Sequence, residues 1–451
     1  MNIETMKSVI LVILIAFSLL LTVALWNYQP NFNQADENKD IGPTTLEEAG
    51  GEQVEIQNLV EPAKVVYQTQ GSYYSYADPN DRSQLYEQMK QWRLVNINDN
   101  PSPPELEEGD RAAEIIFPSK LPLEVLNHIF SIKEDLPEED SVFDRIFVVH
   151  EHDSESVSPY MVYIMDTNED ENPTKVSASL TEEAATQLFN EVDNHEMVSH
   201  FRLDDWSGDT GDATQYNHIY LPADKNSYPT EVLQTNNVPL TPLQNFLFPA
   251  SSTIRQSYSD SVDRRYVETF RVLDVYNDER LMKYQYKITN QSPYWTQYEL
   301  FSKSVNDMNN HFGWTNPFRL ENILANKDKV SYRMYYNGLP IYEEAGLSTI
   351  SLKYEGSSIQ EYIRPLVSFF PVPYENGEDS SVTIESGEEV ISKIKEREIA
   401  LEDIDDIQVG YKLTEQSMRL AYSLLPQWYI KIDGEWISLF SEEITQNKEV
   451  S

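Results

Sequence analysis

The chain has no cysteine in 451 residues. That removes disulfides, thiolate metal sites, a cysteine nucleophile and lipid attachment through sulfur. A large exported protein without cysteine fits bacteria with a single membrane better than eukaryotic secretion, where disulfides are routine. Basic residues are scarce too: 34 Lys and Arg stand against 75 Asp and Glu, a formal net charge of −41. Phosphate backbones repel such a body, so nucleic acid is excluded as a natural partner. Anionic membranes and polyanionic wall polymers repel it as well unless it is tethered. The plain use of the charge is solubility. There are only 7 His, and no GxSxG elbow, P-loop or Gly-rich dinucleotide fingerprint. Among 75 acids, pairs of carboxylates arise by chance and say nothing of glycosidase chemistry.

What is present describes a folded, exported body. Hydrophobic residues make up 40%, ordinary for a globular chain. The 28 Tyr gather in alternating runs, as on half-buried sheet surfaces where the ring packs and the hydroxyl stays wet. The length allows for about two to four domains.

Val9 to Leu25 reads VILVILIAFSLLLTVAL, with Ser18 and Thr22 its only polar residues. As a helix it reaches about 26 Å, enough to cross a bilayer core once interfacial residues extend it. Trp26 and Tyr28 follow at the far interface and Lys7 lies at the near one. No Lys or Arg occurs beyond it until Lys39, so the positive-inside rule puts the N-terminus in the cytoplasm and the body outside. A cleaved signal peptide would carry a shorter apolar core and a small-residue cleavage site. The expectation is therefore a single-pass anchor over residues 1–29. Leu11, Ile15, Ser18 and Thr22 recur on one helical face and form the candidate seam for a partner helix.

Residues 30–52 are polar, acidic and punctuated by Gly and Pro, as in a stalk. Three α+β regions are expected after it: 53–195, 196–315 and 316–451. In the first, AKVVYQTQGSYYSY reads as a strand, Pro79 to Trp92 as a helix and RAAEIIF as a strand. DRIFVVHEH and YMVYIMD read as a hairpin, and TEEAATQLFNEV as a helix. In the second, YVETFRVLDVYNDERLMKYQYKI reads as one hairpin joined at Asn277-Asp278, followed by a helix around WTQYELFSKSVNDMNNHF. The third opens with strand-like VSYRMYYNGLPIY. It continues with the amphipathic helix SGEEVISKIKEREIA, capped by Ser386, with Val390, Ile391 and Ile394 on one face. DIQVGYKL, MRLAYSLL and WYIKIDGEWISL read as further strands, with a tight turn at Asp433-Gly434. The architecture expected is several small antiparallel sheets, each with helices on one face.

No constellation of reactive side chains stands out. His195 and His200 nearly spell a zinc motif, but a spacing of five turns the rings about 140° apart on a helix. His150 and His152 share a strand face and suit a metal, or simply end a polar strand. The loop Asp204 to Asp212 lacks the alternating pattern of a calcium loop and reads as a surface turn. Tyr332, Tyr335 and Tyr336 suit a glycan or peptide, or more commonly a sheet core. No catalytic residue, metal or cofactor is assigned.

The opening MKSVILVILIAFSLLLTVALWNYQP resembles the start of the YycH family of bacteria with a single membrane. So do the Tyr-rich PAKVVYQTQGSYYSY after a variable stalk, NGLPIYE, and the closing LAYSLLPQWYIKIDGEWI. The resemblance spans essentially the whole chain and includes no catalytic motif. It implies an extracytoplasmic regulator of the WalK–WalR two-component system, which governs cell-wall metabolism. The partners it implies are the sister protein YycI and the sensor kinase WalK, met through transmembrane helices. It also implies three exported α+β domains, the last two YycI-like. Two other readings compete with a regulator that performs no chemistry. One is an anchored enzyme acting on wall polymers; the other is a ligand-binding sensor for wall glycan or peptide, which would show a deep pocket lined by aromatics.

Overall fold

The computed structural model describes residues 44–99, 101–102, 111–137, 141–150, 160–167, 173–204, 218–250, 252–257, 261–287, 294–372, 381–416 and 421–440. The apolar segment with Lys7, Leu11, Ile15, Ser18, Thr22, Trp26 and Tyr28 lies outside them, as do His152 and the loop after Asp204. Among the described residues no helix is long and apolar enough to cross a membrane.

The chain is α+β, with antiparallel sheets and few helices. Instead of several small sheets there are a nine-stranded sheet, a fourteen-stranded sheet and a two-stranded ribbon. The first sheet holds β1 (Lys64–Thr69), β2 (Ser72–Tyr76), β3 (Leu94–Asn98), β4 (Ala112–Pro122), β5 (Val142–His150), β6 (Tyr160–Met165), β7 (Thr174–Leu180), β8 (Met197–Arg202) and β9 (Tyr220–Pro222). Their order is β3-β7-β6-β5-β4-β1-β2-β8-β9. The segment read as one strand, AKVVYQTQGSYYSY, is the hairpin β1–β2. Gln70 and Gly71 at its tip have φ of 51° and 73°, as a two-residue hairpin turn needs.

The pleat gives this sheet two unlike faces. Val65, Tyr67, Ala113, Ile115, Ile146 and Val148 enter the main core. That core also takes up residues of α1 (Pro79–Met89), α2 (Leu126–Ile129) and α3 (Glu182–Asn194). Their neighbours in sequence, Lys64, Glu114 and Arg145, fall on the opposite face, beside a smaller apolar cluster around Phe147 and Tyr163. Asp78 starts α1 by accepting the Asn80 N–H at 2.9 Å, with Pro79 at the first helical position.

The second sheet takes its strands from Glu231 to Ser438. YVETFRVLDVYNDERLMKYQYKI forms three strands, not two: Arg264–Glu268, Arg271–Tyr276 and Leu281–Tyr286. The turn at Asn277-Asp278 is there, with positive φ at both, and Thr269-Phe270 makes a second turn. AYSLL, the described part of MRLAYSLL, and WYIKI, read as parts of separate strands, join in one strand, Ala421–Ile432, that runs through Pro426. Proline is tolerated because the strands on the far side pair only with residues 421–424 and 429–432, so no ladder bond is lost at 426. Among the described residues the named strands pair antiparallel, except that Leu339–Tyr342 runs parallel to Ile404–Glu415. The helices here are α4 (Leu240–Leu247), α5 (Gln297–Asn310) and α6 (Gly387–Glu396). Capping boxes start α5 (Thr296 with Glu299) and α6 (Ser386 with Glu389).

β8 and β9 complete the first sheet, and the second sheet draws strands from both sides of residue 315. One apolar cluster runs from Leu46 to Leu439 and joins the two. Within residues 44–52, counted with the stalk, two positions are buried, Leu46 and Gly51: Leu46 is 1% exposed, and its N–H donates to the His311 carbonyl at 2.9 Å. Just beyond, Val54 exchanges two hydrogen bonds with the side chain of Asn309 on α5, at 2.9 and 3.0 Å.

Candidate functional site: a charged cleft between the sheets

A cavity of about 580 Å³ lies between the polar face of the first sheet and the second sheet. Pockets of this size hold small ligands. Its first wall carries Lys64, Arg82, Arg145, His200 and Tyr220. Its second wall carries Glu321, Glu402, Asp405, Asp406 and Lys431. Aromatic rings, among them Phe117, Tyr228, Tyr335 and Trp428, are interleaved with the charges.

The first wall is a bonded network. Arg145 forms a buried ion pair with Glu114 and donates from Nη2 to the His218 carbonyl at 2.9 Å. Tyr220 donates its hydroxyl to the other Glu114 oxygen at 2.6 Å. Burial, then the Glu114 charge, push the Tyr220 phenol well up, so it stays a donor. Lys64 donates to the Tyr220 carbonyl at 2.9 Å. Burial holds its ammonium below the usual lysine range, and Asp406 across the cleft is the strongest charge acting against that shift. His200 is held neutral, down to about 3, by burial and then by Lys64. Arg82, on α1, spans the two sheets: it donates to the carbonyls of Ala63 and Gly338, while its buried Nε has no partner.

The residues singled out by sequence separate. His195 ends α3 and lies between Asp81 and Glu191, at 3.1 and 3.3 Å, while His200 sits in β8. They do not face a common metal. His150 packs against Tyr160 at a tilt of 55°, with ring centroids 4.9 Å apart. Tyr332 and Tyr335 are buried and Tyr336 packs against the core. Among the described residues no group of three His, Asp or Glu is placed to hold a metal ion. Sequence reasoning missed Lys64, Arg82 and Arg145. The available signal was a lone cation opening KVVY and another opening RIFVV, each in a run that otherwise packs into the core.

Comparison with known proteins accounts for nearly the whole chain. The family profile described as "YycH protein, N-terminal domain" matches residues 4–197, and "YycH protein, C-terminal domain" matches residues 216–444. The chain belongs to the YycH family. It is 20% identical to the "Two-component system WalR/WalK regulatory protein YycH" of Bacillus subtilis (strain 168), over 97% of this chain and 96% of that one. The crystal structure of YycH from Bacillus subtilis superposes with a TM-score of 0.66 at 16% identity, covering 86% of this chain and 98% of that one. At that identity the likeness establishes a shared YycH fold. The cleft is built from both YycH domain matches: Lys64, Arg82 and Arg145 come from the N-terminal one, and Tyr220, Glu321 and Asp406 from the C-terminal one.

Proposed function

We propose that this chain is a membrane-anchored regulator of a WalK–WalR type two-component system, acting without chemistry of its own. The observation that carries this is end-to-end similarity to a protein named a WalR/WalK regulatory protein. The N-terminal family match begins at residue 4 and so takes in the apolar segment Val9–Leu25. In this reading the N-terminus is cytoplasmic and the body extracellular. Lys7, Trp26 and Tyr28 set the helix at the two interfaces. Leu11, Ile15, Ser18 and Thr22 meet the transmembrane helices of the sensor kinase and of a YycI sister protein. A kinase helix bundle that signals by small shifts has two packings, and a further helix that fits one better biases the equilibrium by that difference in contact energy.

The test is co-purification from membranes. The full chain is compared with one starting at Asn31 behind a cleavable export signal. Capture of a sensor kinase and a small single-pass partner by the full chain alone supports the reading. Capture by both forms moves the contact to the exported body and removes the seam. Capture by neither form rejects the kinase assembly.

A further inference from the structure

Lys64 and Arg82 are the unusual features of the cleft. Buried cations ordinarily pair with acids, and a chain with 75 acids has carboxylates to spare. Yet both are held by backbone carbonyls alone: Lys64 by Tyr220, Arg82 by Ala63 and Gly338. Among the described residues neither forms an ion pair. Water can fill the remaining donor directions but does not neutralise the charge.

The opposite wall is acidic and open to solvent: Glu402 and Asp405 are exposed and Asp406 is half-buried. Glu402, Asp405 and Asp406 sit at the start of the strand Ile404–Glu415. Asp405 accepts the Gly434 N–H at 2.9 Å, and Asp406 accepts the N–H of Ile407 at 2.7 Å. Neither forms an ion pair among the described residues. Among the described residues no direct ion pair crosses the gap of about 580 Å³, which has Lys64 and Arg82 on one side and Asp405 and Asp406 on the other; the carboxylate acting most strongly on Lys64 is Asp406, and on Arg82 it is Glu61.

We propose that this cleft binds a small dipolar solute, an amino acid or short peptide with free ends, its carboxylate toward Lys64 and Arg82 and its ammonium toward Asp405 and Asp406. An anion alone would meet the acids of the second wall, and a cation alone would meet the lysine and arginine of the first. A molecule carrying both charges satisfies both walls at once. The ligand would bridge the two sheets, since each contributes one pole of the site. This site goes beyond the regulatory reading and does not depend on it.

Titration calorimetry on the detergent-solubilised full chain tests it, with L-alanyl-L-alanine, its N-acetyl form and its C-terminal amide as probes. The free dipeptide is expected to bind with a Kd below about 1 mM, and each capped form at least about tenfold more weakly. Lys64→Met should weaken the dipeptide about tenfold while leaving the residual binding of the amide unchanged. Asp406→Asn should weaken the dipeptide similarly while leaving the N-acetyl form unchanged. The asparagine amide keeps an oxygen to accept the Ile407 N–H, so this variant tests charge without disturbing the strand. No saturable binding of the dipeptide at about 10 mM overturns the proposal. So does either capped form binding as tightly as the free dipeptide, or dipeptide binding unchanged in both folded variants.

Discussion

Arg82 on α1 donates from Nη2 to the carbonyl of Gly338 at 2.6 Å, across 256 positions of sequence. The same guanidinium holds the Ala63 carbonyl just before β1. One side chain thus ties the first sheet to the hairpin of Lys329–Tyr336 and Leu339–Tyr342 in the second. Arg82→Met keeps much of the buried stem and removes both bonds. Each is a charge-assisted bond and each leaves a carbonyl without its partner, so a loss of about 2–4 kcal/mol is expected. The urea midpoint measures it. Arg82→Lys has no planar fork with which to reach both carbonyls and should recover only part of the loss.

Gly338 sits at φ +72°, and a Cβ there would come 2.9 Å from the Cβ of Pro79 and 3.0 Å from its carbonyl oxygen. Gly356 also has positive φ, +59°, but open space around it. Gly356→Ala should cost only the left-handed backbone penalty, about 1 kcal/mol. Gly338→Ala adds a collision with the first turn of α1 and should cost clearly more, about 2–4 kcal/mol. Equal thermal shifts in the two variants would show that α1 and this hairpin do not press on each other.

His311 is fully buried. Its Nδ1–H donates to the Asp307 carbonyl at 2.7 Å, and its Nε2 accepts from the Tyr362 hydroxyl at 3.0 Å. Burial, and then the Arg364 charge, push its pKa down to about 3. In the unfolded chain the value is near 6.5, so the unfolded state takes up the proton first as pH falls. The contribution of His311 is complete above about pH 6.5 and is lost toward pH 3, at up to about 1.4 kcal/mol per pH unit. His200 follows the same course for the same reason. His311→Asn keeps a donor for Asp307 and cannot titrate. Its stability measured between pH 4 and 6 should fall less steeply than that of the parent by about one proton.

Gly51 seats the segment after residue 44. A Cβ there would lie 2.1 Å from the Phe312 carbonyl oxygen, which is backbone and has little freedom to yield. Gly51→Ala should lift this segment from α5, and limited proteolysis between residues 44 and 55 should quicken at least several-fold. The cores of the two sheets are not expected to loosen with it.

The helices and most strands could be read from sequence because their signals are local. Ser386 with Glu389 and Thr181 before a run of Ala and Leu mark real starts, and Asp433-Gly434 is a real turn. Turns without a strong breaker were missed, as at Thr269-Phe270, where the alternation runs on unbroken. The opposite case is the strand through Pro426, read as two, because tolerance of a proline there depends on which neighbouring strands fall short of it. The extent of each sheet was not legible, since alternation tells which residues share a face but not which strands meet. For the same reason the cleft was hidden. Lys64 and Asp406 are 342 positions apart by their numbers, and only the packing of the two sheets brings them face to face.

The docking of residues 44–54 on α5 gives the body a particular mechanical order. The chain reaches the second sheet first, through Leu46, Glu52 and Val54, and only then turns into β1 of the first sheet. A pull arriving along the backbone at residue 44 is therefore borne by α5 and the strands behind it. The first sheet lies further along the chain and is reached only past these contacts, through residues 55–63, where Gln57 and Asn58 accept hydrogen bonds from Tyr86 and Lys90 at the end of α1.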